Sequence, residues 1–148
     1  AEIETTVRAM GLQTRRRSND ELPDADTEVY VADTTGEMGL LYRLAETALI
    51  GGTFSDIQGH NPWEAAALGC AILHGPQTAN FRTDYEALDV ANAATQVTSA
   101  AELARALTAP ATARQPARAK ALVQEGRELV ELLAKQLLSD LDTALGSA

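Results

Sequence analysis

Gly51-Gly52 and the run Gly59-His60-Asn61-Pro62-Trp63-Glu64 lie between two short apolar segments, residues 48–50 and 70–73. Paired glycines at the end of a strand let a ligand approach the backbone closely. Asparagine favours the cap of a helix, proline suits its first position, and a glutamate three residues after the cap can bond back to it. Taken alone, Asn61 to Glu64 describes a well-made helix start and nothing more. Joined to the upstream glycines, it describes a place for an anion, because helix amino termini attract negative charge. A phosphate on those amides and a sugar hydroxyl on Glu64 make a coherent nucleotide-sugar site. A carboxylate accepts hydrogen bonds from ribose hydroxyls, so Glu64 suits binding better than acid–base work.

Other residues support narrower statements. Thr34-Thr35-Gly36-Glu37 matches a second capping box, and Gly36 and Gly39 would again let a ligand reach the backbone. His60 is placed to hydrogen-bond a donor, whereas His74, ending a strand, is expected to brace the next turn. Two histidines without a third ligand at a suitable spacing make a poor metal site. The sequence has no HExxH, CxxC, EF-hand, GxSxG, Walker A or GxGxxG pattern. Trp63, Phe81 and Tyr85 are expected to pack in the core. Cys70, the only cysteine, opens an apolar run and reads as a buried, inert thiol.

These groups need elements to position them. Strands are expected over residues 12–16, 28–32 (buried), 47–50, 70–73 and 93–97, and helices over 37–45, 62–68, 78–88 and 99–108. Ser99 and Glu102 form a capping box for the last of these. Residues 1–10 read as a helix stopped by Gly11 but lacking its own cap, so a longer parent polypeptide is expected. Strands alternating closely with helices predict an α/β fold, a Rossmann-like parallel sheet flanked by helices. In such a sheet the strand-to-helix turns share one edge, where open α/β folds hold ligands. The turns at 33–36, 51–61 and 74–77 are therefore expected to converge. The middle one exceeds the usual length of about 2–6 residues. Residues 1–108 form the expected nucleotide-sugar-binding domain and 109–148 a linker plus a long helix. Leu122, Gly126, Leu129, Leu133, Leu137 and Leu141 give that helix an apolar face to dock on the domain.

With 148 residues, 45% of them hydrophobic, the chain can bury one core. A net charge of -9 argues against nucleic-acid binding, and Arg15-Arg16-Arg17 is too short a basic cluster to alter that. No segment has the roughly 18 consecutive apolar residues of a membrane span.

The segments Asp33-Thr34-Thr35-Gly36-Glu37-Met38-Gly39, Tyr42-Arg43-Leu44-Ala45, Gly51-Gly52, Gly59-His60-Asn61-Pro62-Trp63-Glu64-Ala65, His74-Gly75-Pro76 and Asn80-Phe81 together resemble the donor-binding half of the 3-deoxy-D-manno-octulosonic acid (Kdo) transferases. The resemblance runs over about residues 1–134, and the order and spacing of the segments make it specific. It implies the carboxyl-terminal half of a GT-B glycosyltransferase, moving Kdo from CMP-Kdo onto a lipid A precursor with inversion, in lipopolysaccharide biosynthesis. It also implies no metal or other cofactor and a place at the cytoplasmic face of the bacterial inner membrane. The catalytic glutamate would belong to an amino-terminal acceptor domain outside this sequence, and the membrane anchor and the first strand of the donor domain itself would also lie outside it. No catalytic residue is then expected here. Gly51, Gly52 and Thr53 would face the donor phosphate and sugar, His60, Asn61 and Glu64 its phosphate or ribose, and Gly36 and Glu37 would line the cleft. Thr53 stands where the family often has serine, Gln58 where it often has glycine, and Ala65 where it often has proline. The competing assignments are another GT-B enzyme, such as a UDP-sugar transferase or epimerase, and a non-catalytic nucleotide-binding or helix-mediated interaction module.

Overall fold

The computed structural model describes residues 2–146 and divides into two compact units that meet in sequence at Leu41 and Tyr42. In the first unit, helix α1 (Glu2–Ala9) is followed by strands β1 (Thr14–Arg16) and β2 (Val29–Val31), which pair in parallel with Thr14 opposite Val29. Ala1, included in the expected first helix, lies outside the described residues. β2 is half-buried rather than buried, since its ladder consists of β1 alone. Charged pairs tie β1 to the loop that follows it and to the turn after β2. Arg15 donates to Asp24 at 2.6 Å, and Arg16 donates to Asp33 at 2.6 Å.

Helix α2 (Met38–Leu44) carries the chain across the boundary between the units. The second unit is built on β3 (Thr47–Leu49), β4 (Ala71–His74) and β5 (Ala94–Gln96), all parallel and in that order. Helix α3 (Trp63–Leu68) connects the first two strands, α4 (Arg82–Val90) the second two, and α5 (Ala100–Thr108) follows β5. β4 is central and buried along its whole length. Its alternating side chains serve both faces of the sheet, Ile72 in a cluster with Ala65, Ala66, Tyr85 and Leu88, Leu73 in one with Val97 and Ala106.

The expected elements are all present, with their ends moved by a residue or two. The helix expected over 78–88 opens instead as a 3₁₀ turn, Ala79–Phe81, before α4. Hydrogen bonding also splits the strands into a pair and a triplet rather than one continuous ladder. Ser99 caps α5 by accepting from the Glu102 amide at 3.2 Å, while Glu102 bonds back to Thr98 rather than to Ser99.

The stretch expected as a linker is structured. Thr112 and Gln115 are buried there, Thr112 Oγ1 donates to the Ala106 carbonyl, and the Gln115 amide accepts from Ile72 N at 3.0 Å and donates to Thr95. Gln115 opens helix α6 (Gln115–Gly146), so a buried side chain ties that helix to the sheet. Docking is confined to its start, where Ala119, Leu122 and Val123 reach the core. Leu129, Leu133, Leu137 and Leu141 are each more than half exposed. At 1.5 Å per residue the 32-residue helix is about 48 Å long, far beyond the six-residue α3 beside it. Among the described residues no helix is long and apolar enough to cross a membrane.

Candidate functional site

The loop after β3 closes on itself. Gly59 N donates to the Gly52 carbonyl at 3.0 Å, and Ser55 to Gln58 make the turn between them. Gly52 sits at φ +75°, and a Cβ there would lie 2.8 Å from Ile57 Cγ2, so both conformation and space demand glycine. Gln58 takes φ +61°, a left-handed backbone uncommon outside glycine.

Thr53 locks this loop to the end of β4. It is completely buried; its hydroxyl donates to the Ile50 carbonyl at 2.7 Å and accepts from Gly75 N at 2.8 Å. Its carbonyl accepts from Gln77 N at 2.9 Å. Gly75 approaches so closely that a Cβ there would stand 2.2 Å from the Thr53 oxygen. The turns at 51–61 and 74–77 therefore converge, as the sheet topology requires. Thr53, expected to face a donor, points inward with its hydroxyl bonding capacity already committed.

Several polar groups stand around the closed loop, most of them without a protein partner among the described residues. The amides of Gly51 and Gly52 donate to no protein group among the described residues. His60 is exposed, and its ring lies alongside these glycines: Cβ atoms built on Gly51 and Gly52 would be 3.6 and 3.3 Å from His60 Cδ2. Asn61 is exposed and accepts from Trp63 N at 2.9 Å, capping the turn that leads into α3 through Pro62. Glu64, on the first turn of α3, is exposed and makes no hydrogen bond or ion pair among the described residues; the expected bond back to the cap is not formed. Burial, then the nearby Glu64 and Cys70, raise the Tyr42 hydroxyl pKa.

Beneath the loop, Trp63 is half-buried and donates from Nε1 to Asp84 at 2.7 Å. His74 does brace its turn, with Nδ1 2.8 Å from the Gly75 carbonyl and Nε2 3.1 Å from Asp89. Tyr85 does more than pack. Its hydroxyl donates to the His60 carbonyl at 2.7 Å, a role that helical spacing alone does not show, although a buried phenol always needs a partner. Burial raises the Cys70 thiol, which donates to the Tyr42 carbonyl and is inert as expected. Among the described residues no group of three or more His, Cys, Asp and Glu is placed to hold a metal ion.

Gly36 and Glu37 belong to the first unit. Gly36 lies in the turn before α2 at φ +89° with open space around it. Glu37 does not close a capping box. Its carboxylate accepts from the Thr34 hydroxyl and from Arg17 Nε at 3.0 Å, and the Thr34 hydroxyl and Arg17 lower its pKa.

No family model matches the chain. It is 41% identical over 95 residues to a probable mitochondrial 3-deoxy-D-manno-octulosonic acid transferase of Arabidopsis thaliana, covering 62% of this chain and 21% of that protein. It is 30% identical over 129 residues to the 3-deoxy-D-manno-octulosonic acid transferase of Rickettsia prowazekii, covering 87% of this chain and 28% of the other. The chain thus spans between a fifth and a third of the length of these curated relatives. Among solved structures it matches the C-terminal CMP-Kdo binding domain of WaaA from Acinetobacter baumannii with a TM-score of 0.74 and 30% identity, over 83% of this chain and 67% of that one. Parallel strands, flanking helices and turns gathered at the strand ends define the class, a Rossmann-like domain forming the carboxyl-terminal half of a GT-B fold. Within that class the chain belongs to the 3-deoxy-D-manno-octulosonic acid transferase family.

Proposed function

We propose that this chain is the donor-binding domain of a Kdo transferase, holding CMP-Kdo while Kdo passes to a lipid A precursor in lipopolysaccharide synthesis. One observation carries the reading: two adjacent amides, at Gly51 and Gly52, have no protein partner among the described residues and lie beside the exposed ring of His60. Such a surface suits the donor phosphate. As the bond to Kdo breaks, negative charge grows on the departing CMP. Backbone donors fixed in advance stabilise that charge without reorganising. Thr53 supplies the rigidity, since its buried hydroxyl prevents the loop from drifting away from β4. Glu64, which makes no hydrogen bond or ion pair among the described residues, accepts from the ribose hydroxyls, and Asn61 holds the helix start in register.

The acceptor hydroxyl loses its proton to a group outside this sequence, so this chain alone binds donor and transfers nothing. The reading needs no resident cofactor or metal ion. The reading puts the whole enzyme at the cytoplasmic face of the bacterial inner membrane. Calorimetric titration with CMP and UDP tests the assignment. CMP should bind more tightly than UDP, and Glu64→Gln should weaken CMP by about 10-fold, the scale of one charge-assisted hydrogen bond. A clear preference for UDP would reject it.

A further inference from the structure

We infer that Tyr85 is a positioning residue for the donor site, setting the place of the His60 ring over Gly51 and Gly52 through the His60 carbonyl. The inference rests on the reading that this surface meets the donor phosphate. Tyr85 is 1% exposed, and its one polar side-chain atom spends its hydrogen on the His60 carbonyl at 2.7 Å. Its ring also lies under the preceding residue: a Cβ on Gly59, which sits at φ +88°, would be 3.4 Å from Tyr85 Cε2. One side chain thus touches both residues that bring the loop back toward the diglycine.

Tyr85 is itself held by packing. It stands on α4, its ring centroid 4.6 Å from that of His74. His74 is held in turn by Gly75 and by Asp89, one turn further along the same helix. The loop therefore rests on a support fixed to both β4 and α4. Nothing equivalent fixes the His60 side chain, whose ring nitrogens take no partner among the described residues. The tyrosine hydroxyl can reach a ligand only by way of His60, so its effect on binding should disappear when that ring is removed.

A double-mutant cycle separates this role from a general effect on the fold. Tyr85→Phe keeps the ring and deletes the hydrogen bond. It should weaken CMP by about 3- to 10-fold, the range for one neutral hydrogen bond. In a His60→Ala background the same change should alter affinity less than about 2-fold. Equal losses in both backgrounds, or no loss in either, would overturn the inference. A second readout needs no nucleotide: nuclear Overhauser contacts from His60 Hδ2 to the α-protons of Gly51 and Gly52 in the free protein. They should be present in the wild type and weakened in Tyr85→Phe. If the wild type takes no CMP, the donor-site reading fails, and these contacts alone decide the positioning role; their persistence in Tyr85→Phe would reject it.

Discussion

Replacing Thr53 with valine keeps the shape of the side chain and deletes one oxygen atom. The position is completely buried, so no water can take over the two bonds that atom makes, from Gly75 N and to the Ile50 carbonyl. No cavity opens, because valine fills the same volume; the cost comes from two main-chain groups left without partners. Each such group costs about 1–3 kcal/mol, and partial relaxation of the loop brings the sum to about 2–4 kcal/mol. For a unit of this size that is a fall in Tm of roughly 10 °C or more. Urea unfolding is the direct assay, with the midpoint reduced and the slope unchanged. Thr53→Ser, which keeps the hydroxyl and loses a methyl group, should cost about 1 kcal/mol. Valine within about 0.5 kcal/mol of wild type, or serine as damaging as valine, would refute the claim that this hydroxyl clamps the loop.

Gly52→Ala forces a Cβ to within 2.8 Å of Ile57 in a left-handed backbone, and should cost about 1–3 kcal/mol while weakening CMP binding. In the first unit, burial works to raise the Asp33 carboxyl. Arg16 and the Ser18 hydroxyl and amide outweigh it and bring the pKa from 3.8 down to about 2. A lowered folded pKa means its stabilisation is complete above 3.8 and disappears as pH falls through 2. Carboxyl ¹³C titration should show that low value, and Asp33→Asn should remove the associated acid-induced loss of stability. Gln115→Leu should destabilise the second unit by about 1–3 kcal/mol, because Ile72 N loses its buried acceptor; thermal melting would detect it.

The strand and helix alternation was legible because β-branched and apolar runs alternate with glycine and proline turns. The convergence of the turns at 51–61 and 74–77 follows from parallel topology alone. Asn61, Pro62 and Gly69 announced the ends of α3 through cap chemistry that acts locally. Long-range use of side chains was not legible. The resemblance places Thr53 against the ligand, and nothing local reveals that Gly75 occupies its hydroxyl. Tyr85 and Gln115 find their partners 25 and 43 residues away, distances over which no periodicity carries information. The apolar face of α6 misled for another reason. Its spacing is that of a docked helix throughout, yet its packing partner, α3, is only two turns long.

The central claim is that the unpartnered amides at the end of β3 receive the phosphate of a cytidylate. Amide spectra recorded as CMP is added test it most directly. The resonances of Gly51, Gly52 and His60 should shift together along one saturable curve, with those of α6 beyond Val130 unmoved. Saturable shifts that leave Gly51 and Gly52 untouched, or no saturation at millimolar CMP, would contradict it.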